Sequence, residues 1–218
     1  AGWNGSDRTF VAWCWKESAT SGFDIVSFTG DGNDDRDISH SLSAVPHFII
    51  LKNRSATGDW FVYHKTCAAD NYLVLNQTYA CQGDANTWQS TPTSSVFEIG
   101  SYGGFNGDGN GIIAYCFAPK QGFSKFGTYE GNGVADGAFV YTGFKPAFVM
   151  TKSVDSTSSW HIFDNKREGY NVDNNPLVAE ATTIEATTDM IDLLSNGFKL
   201  RIATDPNVAE TYVYMAFA

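Results

Sequence analysis

Residues 30–37 read GDGNDDRD, so Asp31, Asn33, Asp35 and Asp37 place an oxygen-bearing side chain at every second position. A hard divalent cation collects its ligands from such a turn, and calcium is the chemistry this spacing suggests. An EF-type loop also needs Gly at its sixth place and a bidentate Glu at its twelfth. Those places hold Arg36 and Leu42. The loop therefore reads as a solvated acidic turn, with a weak calcium site on Asp31, Asn33, Asp35 and Asp37 as the alternative. No other cofactor is implied.

Other reactive residues are scattered. His40, His47, His64 and His161 form no HxxxH or HExxH pair, and the chain has no GxSxG elbow, Walker loop or GxGxxG unit. NGDGNG, residues 106–111, resembles part of a glycine-aspartate calcium repeat, but a single copy reads as a hairpin tip. A glycosidase needs two carboxyls and no local motif, so a polysaccharide depolymerase stays as the least favoured reading. The chain is read as non-enzymatic. The triplets at Asn4, Asn53 and Asn76 fit N-x-S/T at the frequency an Asn- and Ser-rich chain gives by chance.

The elements that must position these residues come from a duplication. PHFIILKNRSATGDWFVYH (Pro46 to His64) and PAFVMTKSVDSTSSWHIFD (Pro146 to Asp164) share Pro, Phe, Lys, Thr and Trp at an offset of 100. GFDIVSFTGDG answers GFSKFGTYEGNG, SSVFEIG answers SNGFKLR, and IIAYCFA answers YVYMAFA, in the same order. The counterpart of the acidic loop, GNGVADGA, keeps glycines and loses most carboxylates. The opening FVAWCWK echoes IIAYCFA and is expected to be the closing strand of a preceding unit, which suggests a piece of a longer repetitive protein. The boundaries expected are 1–21 for that segment, 22–121 for the first repeat and 122–218 for the second.

In the first repeat the pattern predicts strands at 23–30, 47–53, 59–65, 72–77, 95–100 and 111–118. Within DWFVYHK, Trp60, Val62 and His64 share one face, and Phe61, Tyr63 and Lys65 the other. Asn196-Gly197 signals a type I′ hairpin, and EATTIEATTDMIDLL holds a short helix as a minor alternative. About a dozen strands with frequent turns predict an all-β fold, a duplicated antiparallel β-sandwich of jelly-roll or lectin-like type with a pseudo-twofold repeat. The linker APKQGFSK is short, which favours one compact sandwich over two.

Cysteines and tryptophans sort by position. Cys14 and Cys116 sit where the last copy has Ala216, so both are expected as buried thiols. Cys67 and Cys81 flank one strand and have no sulfur counterparts, which hints at a disulfide. Trp60 and Trp160 recur inside strands and read as core. Trp3 and Trp88 sit in loop-like surroundings and are the candidates for exposed glycan contact.

Composition narrows the partners. Gly, 16 Phe, 10 Tyr and 6 Trp with only 17% charged residues suit aromatic strands and turns. The net charge of −10 and the lack of a basic cluster argue against nucleic acid and anionic lipid. Apolar runs fall short of a membrane span, and the first residues lack a signal-peptide pattern.

The order YCFAPKQGFSKFGTYEGNG, FVYTGFKPAFVMTK, WHIFD, SNGFKLR and TYVYMAFA resembles a repeat domain of tailed-bacteriophage virion proteins, tail-fibre-like or capsid-decorating, notably of marine phages and cyanophages. The likeness runs from about Phe10 to Ala218. It implies a structural or adhesion module on a virion surface, hence extracellular, acting in host attachment or assembly. Its implied partners are other virion proteins or copies of itself, such as a trimer, and host-surface glycan. It carries no catalytic residues over. A carbohydrate-binding lectin-like domain is the alternative.

Overall fold

A strand that is apolar on both faces needs cover on both sides, and this requirement organises the whole molecule. The computed structural model describes residues 6–7, 9–167, 171 and 175–218, and Trp3 lies outside the described residues. The first half carries β1 (Phe23–Thr29), β2 (Arg36–Ser39), β3 (Phe48–Asn53), β4 (Trp60–His64), β5 (Asn71–Val74), β6 (Gln82–Gly83), β7 (Val96–Ile99), the single-turn helix α1 (Gly103–Asn106) and β8 (Gly111–Phe117). The second carries β9 (Ser124–Glu130), β10 (Phe139–Tyr141), β11 (Phe148–Ser153), β12 (His161–Asp164), β13 (Leu177–Val178), β14 (Ile191–Leu194), β15 (Gly197–Leu200) and β16 (Thr211–Phe217).

All strand pairs are antiparallel, and the two halves use one plan. A six-stranded sheet runs β1-β8-β3-β4-β5-β6, and a five-stranded sheet runs β13-β12-β11-β16-β9. Phe48 faces both Phe117 and His64 in the first, as Phe148 faces Phe217 and Asp164 in the second. A small sheet lies outside each: β2-β7 in the first half and β10-β15-β14 in the second. Three buried clusters separate four layers. Ile49, Leu51, Phe61, Tyr63 and Cys116 meet Ile38, Phe97 and Ile99 of the β2-β7 sheet. Val149, Phe163, Tyr212, Tyr214 and Ala216 meet Val140, Leu193 and Phe198 of the three-stranded sheet. Between the two large sheets lie Phe23, Phe48, Val62 and Phe117 from one half and Phe126, Phe148, Met150, Trp160 and Phe217 from the other. The fold is an all-β sandwich.

Several local expectations are corrected. FVAWCWK is not a strand; the place of the strand it echoes, between β1 and β3, is filled by β8. It instead lays Trp13 and Trp15 against the end of the central layer, with Trp15 edge-on to Phe148 at 5.5 Å and Trp13 Nε1 donating to Asp164 Oδ2 at 3.0 Å. Cys14 in that segment is exposed, whereas Cys116 is buried. The 181–190 stretch forms neither helix nor strand. The β14-β15 hairpin forms, but Leu194 pairs with Gly197, so the loop residues are Ser195 and Asn196, and neither has a positive φ. Gly197 answers a different need: a Cβ there would lie 2.1 Å from the Val140 carbonyl oxygen of the neighbouring strand.

The central layer joins the halves mechanically. Phe117 packs on Phe23 at 4.6 Å and approaches Phe48, Phe126 and Phe217 at 6.3, 6.2 and 5.9 Å. Removing this ring opens contacts in both sheets, so Phe117→Ala is expected to cost about 3–5 kcal/mol. Because the layer is shared, calorimetry should record one unfolding transition, lowered as a whole in this variant. Two resolved transitions would contradict the shared core.

Burial also builds in acid sensitivity. His64 is fully buried at the end of β4, and burial, with Lys65 nearby, pushes its pKa down to about 3. Burial likewise pushes His47 down to about 4. Both rings are neutral in the fold, while the unfolded chain protonates them near the usual 6.5. Below that value the unfolded state binds more protons, so stability falls as pH falls from about 6.5 toward 4. His64 alone accounts for roughly 2–3 kcal/mol between pH 6.5 and 4.5. Urea titrations at those two pH values should show this loss, and His64→Asn should shrink it.

Candidate functional site

The acidic loop is held by protein groups. Asn106, buried in α1, receives the Asp31 N–H on Oδ1 and donates through Nδ2 to Asp31 Oδ1 and to the Asn33 carbonyl, both at 2.8 Å. Arg36 donates to the Thr29 carbonyl at 2.7 Å and to Asn106 Oδ1 at 2.8 Å, and its Nε lies 3.3 Å from Asp31 Oδ2. The Asn33 N–H, with the Asn106 amide and Arg36, holds the Asp31 carboxyl below its ordinary pKa. Asp34 accepts from the Ser101 N–H at 2.7 Å, Asp35 takes a positive φ at the turn, and Asp37 lies in β2 opposite Glu98. Among the described residues no three His, Cys, Asp or Glu side chains converge as metal ligands.

The second half builds the same clamp with a neutral residue. Buried Asn207 donates to Asn132 Oδ1 and the Val134 carbonyl at 2.9 Å, and accepts from the Asn132 N–H. Asn132 thus stands where Asp31 does. The shared glycines follow from geometry, since a Cβ on Gly30 or Gly131 would meet a carbonyl oxygen at 2.1 or 1.9 Å.

Trp88 is not a surface contact. It is buried among Tyr63, Phe97 and Phe105, because the loop carrying it folds inward through the Trp88–Ile99 bridge and the Asp70 N–H bond to its carbonyl. Cys67 and Cys81 stand as two thiols rather than a disulfide. They are in contact, and the Cys67 thiol bonds Cys81, which raises the pKa of the first and lowers that of the second.

The feature that most suits a ligand lies on the six-stranded sheet. On the face that turns toward the central layer, register aligns Ile25, Tyr115, Ile50 and Val62 in one row, then Ser27, Ile113, Lys52 and Trp60 in the next. The second half has Met215, Met150 and Ile162, then Val213, Lys152 and Trp160, at the same places. The fates of the two Trp–Lys pairs differ. Trp160 and Lys152 are buried beneath the segment that leaves β5. Trp160 Nε1 donates to the Val74 carbonyl at 2.8 Å, Ser158 N to Thr78 O at 3.0 Å, and Cys81 N to Val154 O at 3.0 Å. The corresponding stretch after β13 is exposed, with Ile184 at 92%, and it covers nothing equivalent.

Trp60 and Tyr115 are therefore left half-buried and near-parallel, with centroids 6.5 Å apart and planes 19° apart. They floor a shallow depression of about 810 Å³, rimmed by Lys52, Arg54, Ser55 and Thr57. The rim is pinned. Asn53 Oδ1 accepts from the N–H groups of Ser55 and Ala56, Lys52 Nζ donates to the Asn53 and Ala56 carbonyls, and Gly111 N donates to Ser55 Oγ at 2.8 Å. Such a shelf offers two apolar plates and a fixed polar edge. Sequence reasoning assigned Trp60 to the core. Its own strand pattern is that of Trp160, and only the missing cover distinguishes them.

A second groove of about 600 Å³ runs between β9 and β10 and is lined by Phe139, Tyr141, Lys65 and Lys125. There the cation is already used: Lys125 Nζ donates to the Tyr141 carbonyl at 2.7 Å and lies 5.1 Å from the Tyr141 ring centroid.

The Lys152 pair tests the opposite idea, buried chemistry. Lys152 Nζ donates to the Ser153 carbonyl at 2.7 Å and to Ser158 Oγ at 3.0 Å, and burial pushes its pKa down to about 8. Lys52 makes the same carbonyl contacts, so this lysine anchors a loop in both halves. Replacing either clamp residue should be costly: Asn106→Ala or Asn207→Ala strands several buried partners and is expected to lose about 3 kcal/mol, measured by urea unfolding.

No curated protein and no solved structure matches the chain. Residues 1–218 match one family throughout, and the chain belongs to it: the family described as Domain of unknown function (DUF7483).

Proposed function

We propose that the protein is a non-catalytic adhesion module that binds glycan on the Trp60–Tyr115 shelf. The observation that carries this reading is the pair of half-buried, near-parallel rings on a rigid sheet face, at a place where the other half hides its tryptophan. Aromatic faces pack well against the C–H faces of pyranose rings because both surfaces are apolar and flat. The pinned rim adds oriented hydrogen-bonding groups without an ordering cost on binding. The resemblance to phage virion repeat domains supports a setting on a tail fibre or capsid surface, where such a module would serve host attachment.

The test is a glycan array followed by calorimetry on the best ligand. Trp60→Ala and Tyr115→Ala should each weaken binding at least roughly tenfold, the loss of one stacking contact. Chelation by EDTA should leave affinity unchanged, since the shelf is lined by no carboxylate and Asp31 of the acidic loop is already engaged by Arg36 and Asn106. An array that stays blank with and without calcium, or binding indifferent to both substitutions, would sink the proposal.

A further inference from the structure

The shelf carries one charged group without a partner. Of the arginines among the described residues, Arg36, Arg167 and Arg201 are each ion-paired. Arg54 is exposed, and its guanidinium has no hydrogen bond or ion pair among the described residues. It stands on the pinned 53–58 loop, with its own N–H bonded to the Gly111 carbonyl at 2.8 Å, at the rim of the same depression. The nearest acidic neighbour in sequence, Asp59, is engaged elsewhere: its Oδ1 accepts from the amides of Asn76 and Gln77. Lys52 adds positive potential, although its ammonium is tied to two carbonyls. A free planar fork beside two aromatic plates matches a ring that bears a carboxylate, because guanidinium and carboxylate meet through two parallel hydrogen bonds.

Building on the glycan reading above, we infer that the shelf selects a uronic-acid-containing polysaccharide, with Arg54 taking the sugar carboxylate while Trp60 and Tyr115 carry the ring faces. The chain's net charge of −10 does not oppose this at contact. Fields from distant exposed carboxylates fade over a Debye length of about 8 Å at physiological salt, whereas the Arg54 pair acts at hydrogen-bond distance.

The experiment compares three probes by calorimetry: a hyaluronan oligosaccharide, its carboxyl methyl ester, and a sulfated galactan oligomer of similar length. The wild-type chain should bind the acid form roughly tenfold more tightly than the ester, the worth of one charge-assisted bidentate contact. Arg54→Gln should abolish that advantage, costing the acid form far more affinity than the ester, and Arg54→Lys should restore part of it. Trp60→Ala should weaken both forms alike. Equal affinity for acid and ester, a preference that survives Arg54→Gln, or binding of the sulfated oligomer alone would overturn the assignment to a carboxylate. If Trp60→Ala still weakens binding in those cases, the shelf itself stands. If neither hyaluronan form binds the wild-type chain, the carboxylate assignment falls, and the array result decides the shelf.

Discussion

Everything else in this structure depends on two sheets sharing one aromatic interior. Each large sheet is apolar on both faces, so neither half can satisfy itself with its own small sheet. The outer faces close over the β2-β7 and β10-β15-β14 sheets, and the inner faces close on each other through Phe117, Phe217, Phe148 and Phe126. Packing rings edge-to-face at 5.9–6.3 Å, as Phe117 does with Trp15, Phe48 and Phe217, adds quadrupole attraction to the area removed from water. The interface is asymmetric in one respect that matters. The segment after β5 reaches across and covers the second half, while the segment after β13 covers nothing of the first.

That asymmetry makes the molecule its own control. Lys52 and Lys152 hold equivalent loops by equivalent bonds, yet Lys152 is fully buried and Lys52 is not. Burying an ammonium is tolerable only when it is well hydrogen-bonded, and Lys152 meets that demand with carbonyls of Ser153 and Ser156 and the hydroxyl of Ser158. The hydroxyl is an acceptor the first half lacks, since Gly58 occupies the corresponding place. The tryptophans follow suit. Trp160 finds an indole partner in the Val74 carbonyl, and Trp60 keeps its ring half open to water.

The same comparison shows what was legible in the sequence. Six strands of the first half fell close to their predicted limits because alternation and glycine punctuation are local signals, and Phe61 and Val62 do face opposite layers. Strand β2, RDIS, was missed because it is short and polar, and its one buried residue, Ile38, gives no period. Trp88 was misplaced for the converse reason: its neighbours in ANTWQS are polar, and only the inward fold of the loop buries it. Cys14 looked like Cys116 because their flanks match, but a small buried site requires neighbouring strands, which Cys14 lacks. Trp60 is the instructive case. No pattern within its strand could separate it from Trp160, because the difference lies in a segment of the other repeat.

A fold whose two halves pair their strands alike gains freedom from this. Once one copy of a residue is committed to the interior, the other is held in the same backbone frame but can meet solvent, so its neighbours may change without loss of the core. The shelf shows that division: Ile113 and Tyr115 replace Val213 and Met215, and Arg54 replaces Val154. Val154 packs against the central layer and bonds Cys81 through its carbonyl, a role that a guanidinium could not fill without a buried partner. At position 54 there is no cover to exclude water, and the cation carries no desolvation penalty. The substitution is permitted where the shelf is open and forbidden where it is closed, and it puts charge beside the half-buried Trp60–Tyr115 pair.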